Sequence, residues 1–329
     1  MSPSPLVEPL FFRRLLKETV WGGHRLAPWL GETPFFDGPV GESWELSDVT
    51  GQESVVMGGA HDGKTLHALL ETHRENLMGL ASLSADGRFP LLVKFLEAEK
   101  DLSVQVHPAD DSAPNGQGKT ECWYFLDAEP KAEVICGLKK GTLREEFSAV
   151  ASESEIETFL TRQPISSGDF LFVPAGQVHA IRPGVLLCEI QQTSDITYRL
   201  YDWGRVGLNG EMRETHIAQA LEVIDFHSSP SVPIQPVLSA GALPEGWTSA
   251  PLADDKHFRI SLWSGEYGAN FSTDARPRIH IVIAGQAQLQ SHGVDRAVKP
   301  GDTFLIPAAS QGYSLQPLES CTLLEAVPA

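Results

Sequence analysis

Short apolar runs, each closed by a turn rich in glycine or proline, recur along most of the chain. The sequence holds 29 glycines and 23 prolines, and both residue types interrupt helices and favour turns. The runs carry the β-branched and aromatic residues typical of strands: "PLLVKFLE", "CWYFLD", "AEVICGL", "DFLFVPA", "VLLCEIQQ" and "ITYRLYDW". Helical spacing of apolar residues is confined to 64–80, 143–160 and 214–226. The sequence therefore predicts a mainly β fold with helical insertions.

One segment of the chain occurs twice. The first copy, residues 168–182, reads "GDFLFVPAGQVHAIR", and the second copy, residues 301–315, reads "GDTFLIPAASQGYSL". Aligned without gaps, the copies share glycine, aspartate, proline and alanine, and Gly312 takes the place of His179. Because each copy lies late in a similar series of strands, the match indicates an internal duplication.

A change of composition separates the two strand series. Residues 228–251 are rich in serine, proline and glycine and predict a connector. A chain of 329 residues has room for two domains that each bury a core. We therefore expect two domains, residues 1–228 and 229–329.

Charge and composition exclude several kinds of partner. A formal net charge of −18 argues against nucleic acid or an anionic membrane surface as a partner. No apolar stretch approaches the roughly 18 residues of a membrane span, and the first residues lack a signal-peptide pattern. The four cysteines form no close pair, so we expect reduced thiols and a cytoplasmic location.

The stretch "DLSVQVHPADD", residues 101–111, predicts a strand with one polar face. Apolar and polar residues alternate in it, so that Ser103, Gln105 and His107 share one side. Such a face meets either water or an interior cavity. The next predicted strand begins at Glu121, and His179 starts a strand further along the chain. Together these side chains offer two nitrogens and two oxygens to one ion, a set that suits zinc, with iron, manganese or cobalt as alternatives.

The turn pattern around His179 resembles a known motif. "GDFLFVPAGQVHAI" fits G-x5-P-x-G-x2-H, which resembles the second motif of the cupin superfamily, a group of small jelly-roll β-barrels. In that superfamily the histidine of the motif is a metal ligand inside the barrel. The resemblance implies that His179 faces the interior of such a barrel.

A closer resemblance covers residues from about 10 to 225. "KFLEAEKDLSVQVHPADD", "GKTECWYFL", "VPAGQVHAI" and "LLCEIQQTSDITYRLYDWGR" are similar to the signature segments of the type I mannose-6-phosphate isomerases, in their short bacterial form. The resemblance implies two cupin domains, the first catalytic and metal-binding, the second metal-free. It also implies one zinc ion per chain, a small sugar phosphate as substrate, and a monomer or small homo-oligomer.

The same resemblance assigns roles by position. The residues that match the family's zinc ligands are Gln105, His107, Glu121 and His179. In the short form, three of these ligands and a water are an alternative set, without Gln105. Arg199 matches the arginine with a catalytic role, and the residues that match the sugar-phosphate site are Lys94, Ser103 and Lys119.

Aldose–ketose isomerisation needs a base and a counter-charge for an enediolate. An arginine keeps its proton because its pKa stays above about 12, so we interpret Arg199 as an electrostatic clamp. Lys119 and a zinc-bound water of lowered pKa are the alternative proton carriers. Lys94 lies in the apolar run "LLVKFL" and therefore needs a partner.

Two other function classes are compatible with the fold. A two-cupin Fe(II) dioxygenase would hold its metal with two histidines and a carboxylate, and would need no phosphate-binding lysines. A non-catalytic metal-dependent sugar-phosphate-binding protein would bind the sugar without turning it over. The detailed match of the four segments favours the isomerase over both.

Overall fold

The computed structural model describes residues 5–34, 37–241 and 243–329. Within these ranges, no helix combines the length and the apolar character that a membrane crossing requires.

Strands dominate the described chain. The strands are β1 Leu10–Phe11, β2 Leu15–Gly23, β3 Val40–Leu46, β4 Asp48–Val49, β5 Gln52–Glu53, β6 Leu91–Ala98, β7 Val104–Val106, β8 Glu121–Ala128, β9 Glu133–Leu138, β10 Leu160–Pro164, β11 Phe170–Val173, β12 His179–Ile181, β13 Val185–Gln192, β14 Tyr198–Tyr201, β15 Trp247–Asp254, β16 Phe258–Gly265, β17 Ala269–Phe271, β18 Arg278–Ser291, β19 Val294–Val298, β20 Thr303–Ile306 and β21 Tyr313–Pro328. The helices are α1 Leu26–Leu30, α2 Leu66–Met78, α3 Arg144–Val150, α4 Ile217–Val223 and a 3₁₀ helix at Ser154–Phe159. The predicted fold class, mainly β with cupin-type jelly-roll domains and helical insertions, is confirmed.

The chain divides into two compact units. The central unit comprises residues 16–44 and 93–235, and the terminal unit comprises the described residues of 1–15, 45–92 and 236–329. Both units draw on segments that are separated in the sequence. The predicted domains, residues 1–228 and 229–329, have different limits and stay a prediction.

Two sheets build the central unit. Their strand orders are β10-β9-β12-β7-β14 and β11-β8-β13-β6-β3-β2. One buried apolar cluster takes residues from both sheets, among them Trp123, Phe125, Val134 and Ile181, so the two inner faces pack on each other. The outer face of the five-stranded sheet packs against α3 and α4 through a second apolar cluster. This arrangement leaves the space between the sheets for polar side chains near one end of the core.

The terminal unit is built around one eight-stranded sheet. Its order is β1-β20-β18-β21-β16-β15, with β17 on β21 and β19 on β18. The long strands β18 and β21 pair over most of their length, and their register shifts between Val282 and Ala284 and again between Gly285 and Ala287. Such bulges bend and twist a strand, so this long pair of strands can curve along its length.

The predicted helices agree with the observed helices to different degrees. The helix predicted at 64–80 is α2, where Thr65 caps the first turn by accepting a hydrogen bond from the amide of Ala68 at 3.1 Å. The helix predicted at 143–160 is wrong as one element, because α3 ends at Val150 and a 3₁₀ helix follows. Ser152 and Ser154 lie at this boundary, and serine favours helix ends and turns over helix interiors.

Three other elements are shorter than predicted. The helix predicted at 214–226 is α4, and the strand predicted within 101–107 is confined to β7. The strand predicted as "ITYRLYDW" is β14. The connector predicted at 228–251 is wrong in its last residues, because β15 begins at Trp247. The alternation of buried apolar and inward polar side chains around β7 nevertheless holds.

Candidate metal centre and active site

The polar face of "DLSVQVHPADD" points into the central unit. Val104 and Val106 are fully buried in the apolar cluster beneath α3 and α4, so the alternate side chains face the space between the sheets. Gln105 lies opposite His179 on β12 and opposite Arg199 on β14. One strand therefore sets the position of residues from two neighbouring strands.

Three ligand-type side chains converge at this point. Nε2 of His107 lies 3.5 Å from one carboxylate oxygen of Glu121, and Nε2 of His179 lies 3.4 Å from the other. All three ligand atoms lie within 4.8 Å of one another, and the three residues are buried. In the described part of the chain, no other group of three or more His, Cys, Asp or Glu side chains meets this geometry.

Backbone carbonyls orient both imidazoles. Nδ1 of His107 lies 2.8 Å from the carbonyl oxygen of Ile196, and Nδ1 of His179 lies 2.9 Å from that of Gln177. Each Nδ1 therefore carries the proton, and each Nε2 presents its lone pair to the centre. This outer support of ligating histidines is usual in metal sites.

Electrostatics favour the ligand forms of the imidazoles. Burial lowers the pKa of His179 to about 4, and burial together with Lys119 lowers the pKa of His107 well below its usual value. Burial raises the pKa of Glu121 to about 7. Oε2 of Glu121 is buried, with Nζ of Lys119 at 3.2 Å and Nε2 of His107 at 3.5 Å. Two neutral imidazoles beside a buried carboxylate fit a divalent cation.

Gln105 lies against both imidazoles. Its Nε2 is 3.5 Å from Nε2 of His107 and 3.3 Å from Nε2 of His179, and its Oε1 accepts a hydrogen bond from Ser103 at 3.1 Å. A half-turn of the amide exchanges its oxygen and nitrogen. The amide oxygen would then lie beside the two imidazole nitrogens, where an oxygen ligand would complete the set.

The two predicted substrate lysines are buried and paired with carboxylates. Nζ of Lys119 lies 3.2 Å from Oε2 of Glu121, and Nζ of Lys94 lies 3.2 Å from Glu189 and 3.8 Å from Glu42. Burial opposes the charge of Lys94, but attraction to Glu42 and Glu189 outweighs it and raises the pKa of Lys94. The partner that a lysine in "LLVKFL" requires is therefore Glu189.

Arg199 and Ser103 lie on the same side of the site. Nε of Arg199 donates to the Ser103 hydroxyl at 3.2 Å, and Nη1 donates to the carbonyl of Glu214 at 2.8 Å. Burial and the neighbouring Arg213 lower the pKa of Arg199, yet a guanidinium keeps its proton near neutral pH. Arg199 is thus a fixed cation beside the ligand cluster.

A cavity of about 180 Å³ joins these groups. Of the eight residues predicted from the sequence, those that line it are Lys94, Ser103, Gln105, Lys119, Glu121, His179 and Arg199. His107 lies just behind, in contact with Lys119 at 3.1 Å between Nζ and Nε2. The structure brings all eight together, while their individual roles stay predictions.

Several residues of the cavity were not predicted from the sequence. These are Trp21, Glu42, Trp123, Glu189, Asp195, Thr197 and Arg213. Glu189 had a signal, because a charged residue in "VLLCEIQQ" needs a partner just as Lys94 does. Lys94 and Lys119, with burial opposing them, lower the pKa of Glu189 and keep it ionised. Arg213 and Asp195 lie in polar loops, where the sequence offers no such contrast.

Comparison with known proteins places these residues in context. Residues 10–160 match the model of the phosphomannose isomerase type I catalytic domain. The mannose-6-phosphate isomerase ManA of Bacillus subtilis (strain 168) is 37% identical over 318 residues, which cover 95% of this chain and 98% of the relative. The mannose-6-phosphate isomerase of Streptococcus mutans serotype c is 34% identical, covering 92% and 93%.

Solved structures agree with these relatives. The crystal structure of the mannose 6-phosphate isomerase from Bacillus subtilis matches with a TM-score of 0.87 and 33% identity, over 97% of this chain and 99% of that chain. A mutant phosphomannose isomerase from Salmonella typhimurium matches with a TM-score of 0.76 at 16% identity, over 97% and 99%. At that identity the second match shows a shared fold alone.

Proposed function

The chain belongs to the type I phosphomannose isomerase family, and we propose that it interconverts mannose 6-phosphate and fructose 6-phosphate with one zinc ion per chain. The observation that carries the proposal is the convergence of Gln105, His107, Glu121 and His179 at one point beside the cavity. The similarity to curated isomerases favours this reaction over the dioxygenase and binding-protein alternatives.

His107, Glu121 and His179 would hold the zinc ion, with the amide oxygen of Gln105 as a fourth ligand or a water in its place. Two imidazole nitrogens and carboxylate oxygens are ligands that zinc accepts. When bound, zinc supplies a Lewis acid that stabilises negative charge on a sugar oxygen. The burial of all three side chains, with their ligand atoms within 4.8 Å of one another, supports this assignment.

Arg199 acts as a fixed counter-charge in this proposal. The carbonyl oxygen of the sugar gains negative charge as the proton leaves the neighbouring carbon. A guanidinium already held by Ser103 and the Glu214 carbonyl needs little reorganisation to stabilise that charge. Ser103 also links Arg199 to Gln105, so one hydroxyl orders the cation and the amide.

The proton moves through a group within reach of C1 and C2 of the sugar. Two cavity residues qualify, Lys119 beside the ligand cluster and the ionised carboxylate of Glu189. The Lys119→Met and Glu189→Gln variants test them. We expect the variant of the proton carrier to lose the solvent exchange of the substrate's C2 hydrogen along with turnover. A variant that turns over more slowly with normal exchange per turnover excludes its residue as the carrier.

The central experiment measures mannose 6-phosphate formation from fructose 6-phosphate on one protein batch. The batch is assayed as purified, after chelation, and after addition of zinc, with metal content measured in each sample. We expect activity to disappear with the metal and to return with zinc. Activity that is unchanged in fully metal-free protein would contradict the zinc assignment, and inactivity in all three samples would contradict the reaction.

Three further assignments accompany this proposal. Residues 1–228 would form the catalytic domain and residues 229–329 a second, metal-free domain. A cytoplasmic location is supported by the four cysteines, which are all buried thiols. A monomer or small homo-oligomer stays a prediction, which sedimentation of the purified protein would test.

A further inference from the structure

Two groups of charged side chains line the cavity. Beside the ligand cluster, Lys94 is already paired with carboxylates from Glu42 and Glu189, and Lys119 lies against Glu121. Asp195 also lines the cavity and attracts Lys94. Lys94 therefore carries no surplus positive charge for a substrate phosphate, and Lys119 is engaged with a residue of the ligand cluster.

The second group consists of arginines, and we call it the arginine end. Arg199, which reaches the ligand cluster through Ser103, and Arg213 line the cavity, and Arg205 lies next to them on Asp202. Within the described residues the carboxylate in ion pairs with these arginines is Asp202, while Glu214 and Asp101 attract them from further away. Three guanidinium groups thus face fewer opposing charges than the lysines do.

Asp202 fixes the position of Arg213. Its two oxygens accept hydrogen bonds from Nε of Arg213 at 2.7 Å and from Nη2 at 2.5 Å. Asp202 is buried, and it also accepts two hydrogen bonds from Arg205. Within the described residues Nη1 of Arg213 makes no hydrogen bond, so it remains available to a second anion. A guanidinium held in this way is preorganised for a phosphate.

We propose that Arg213, positioned by Asp202, binds the phosphate group of the substrate at the arginine end of the cavity. The ligand class is a phosphate monoester dianion attached to a sugar. Arg199 would face the reacting carbons between this phosphate and the ligand cluster. The proposal rests on the isomerase function proposed above, and it moves the phosphate away from Lys94, which is paired with Glu42 and Glu189, and from Lys119, which lies against Glu121.

The test compares Arg213→Gln with Arg162→Gln. Arg162 belongs to the same unit and pairs with Glu133 and Glu157, but it does not line the cavity, so its variant controls for the loss of one positive charge. Losing a charge-assisted contact costs about 10- to 100-fold in affinity. We expect KM for fructose 6-phosphate to rise by about that factor in Arg213→Gln, with kcat within about threefold of wild type.

Inorganic phosphate provides a second measurement. We expect it to inhibit the wild-type enzyme competitively, and to inhibit Arg213→Gln about 10- to 100-fold more weakly. The Arg162→Gln control should keep both the wild-type KM and the wild-type inhibition. Arg213→Lys retains the charge but loses the planar guanidinium, so its KM and its inhibition by phosphate should lie between those of wild type and Arg213→Gln. This variant replaces Arg213→Gln in the test if the glutamine variant does not fold.

Two results would overturn the proposal. One is an Arg213→Gln enzyme with wild-type KM and wild-type phosphate inhibition, and the other is a variant that loses kcat with KM unchanged. An inactive wild-type enzyme would instead contradict the proposed isomerase function. In that case, calorimetric titration of wild type and Arg213→Gln with inorganic phosphate still tests the arginine end by itself.

Discussion

The two copies of the repeated segment form the same turns in different units. In the first copy, the carboxylate of Asp169 accepts a hydrogen bond from the amide of Ser166 at 2.7 Å. In the second, Asp302 accepts one from the amide of Lys299 at 2.9 Å. The glycine before each aspartate adopts a φ of 87° and 89°, respectively, a left-handed conformation that glycine tolerates. The shared sequence therefore specifies a shared local structure.

The strands paired with the two copies differ. Glu121 lies opposite Val173 of the first copy, and Arg278 lies opposite Ile306, the equivalent position of the second. A ligand-type carboxylate in the central unit is thus matched by a cation in the terminal unit. At the end of the motif, the histidine of the first copy is matched by Gly312.

The terminal unit nevertheless buries a histidine of its own. Nε2 of His280 lies 2.7 Å from the hydroxyl of Tyr313, and Arg278 forms a buried ion pair with Glu325. Burial lowers the pKa of His280 to about 3, as burial lowers that of His179 in the central unit. Both units thus bury a neutral imidazole. The central unit differs because two imidazoles meet a buried carboxylate there.

The largest effect should come from substituting His179 of the central unit, with a substitution of His280 of the terminal unit as the control. We expect His179→Ala to lose its zinc and at least about 100-fold of its activity, because a ligand is removed. His280→Gln in the terminal unit should keep both. Metal analysis and the isomerase assay on the same samples measure the difference. A His179→Ala protein with full zinc content would count against the ligand assignment.

Arg278→Met should lower the free energy of unfolding by about 3–5 kcal/mol. The substitution leaves Glu325 buried without its partner, and an uncompensated buried charge is costly. Urea unfolding monitored by circular dichroism measures the change. Because Arg278 belongs to the terminal unit, the zinc content of the folded variant should equal that of wild type. A stability change below about 1 kcal/mol would mean that the ion pair contributes little.

Arg199→Ala should lower kcat by about 100-fold while zinc content stays at the wild-type level. Arg199 faces the cavity, whereas Arg278 of the terminal unit is paired with Glu325, so of these two arginines only Arg199 can stabilise charge on a substrate. Steady-state kinetics with metal analysis separate loss of chemistry from loss of zinc. Near wild-type turnover would remove Arg199 from the chemistry.

The smallest effect concerns pH. The pKa of His280 is about 3 in the folded protein, against an unperturbed value of 6.5, so the unfolded chain binds the extra proton between these values. The titration of His280 should therefore lower the free energy of unfolding by about 1.4 kcal/mol per pH unit as the pH drops below 6.5. Urea unfolding of wild type and His280→Gln at pH 7, 6 and 5 would compare the slopes, and the variant should have the flatter one. Equal slopes would show that His280 is protonated in the folded protein.

Local sequence patterns determined much of this protein. The alternation around Val104 and Val106 fixed which side chains face inward, and the turn motif placed His179 at the start of a strand. These features follow from the period of a strand and from the backbone freedom of glycine, which act over a few residues. The candidate metal ligands could be selected for the same reason, and the resemblance to a known family implied their roles.

Only the tertiary structure decided which charges meet. Lys94 required a partner from its sequence context, but Glu189 became that partner through the placement of β6 and β13 in one sheet. The hold of Asp202 on Arg213 and the ion pair of Lys119 with Glu121 arise in the same way. Burial and pairing depend on segments distant in the sequence, and no local propensity records those contacts. The sequence thus supplied the charged and metal-ligating side chains, and packing decided which of them were left to bind a ligand.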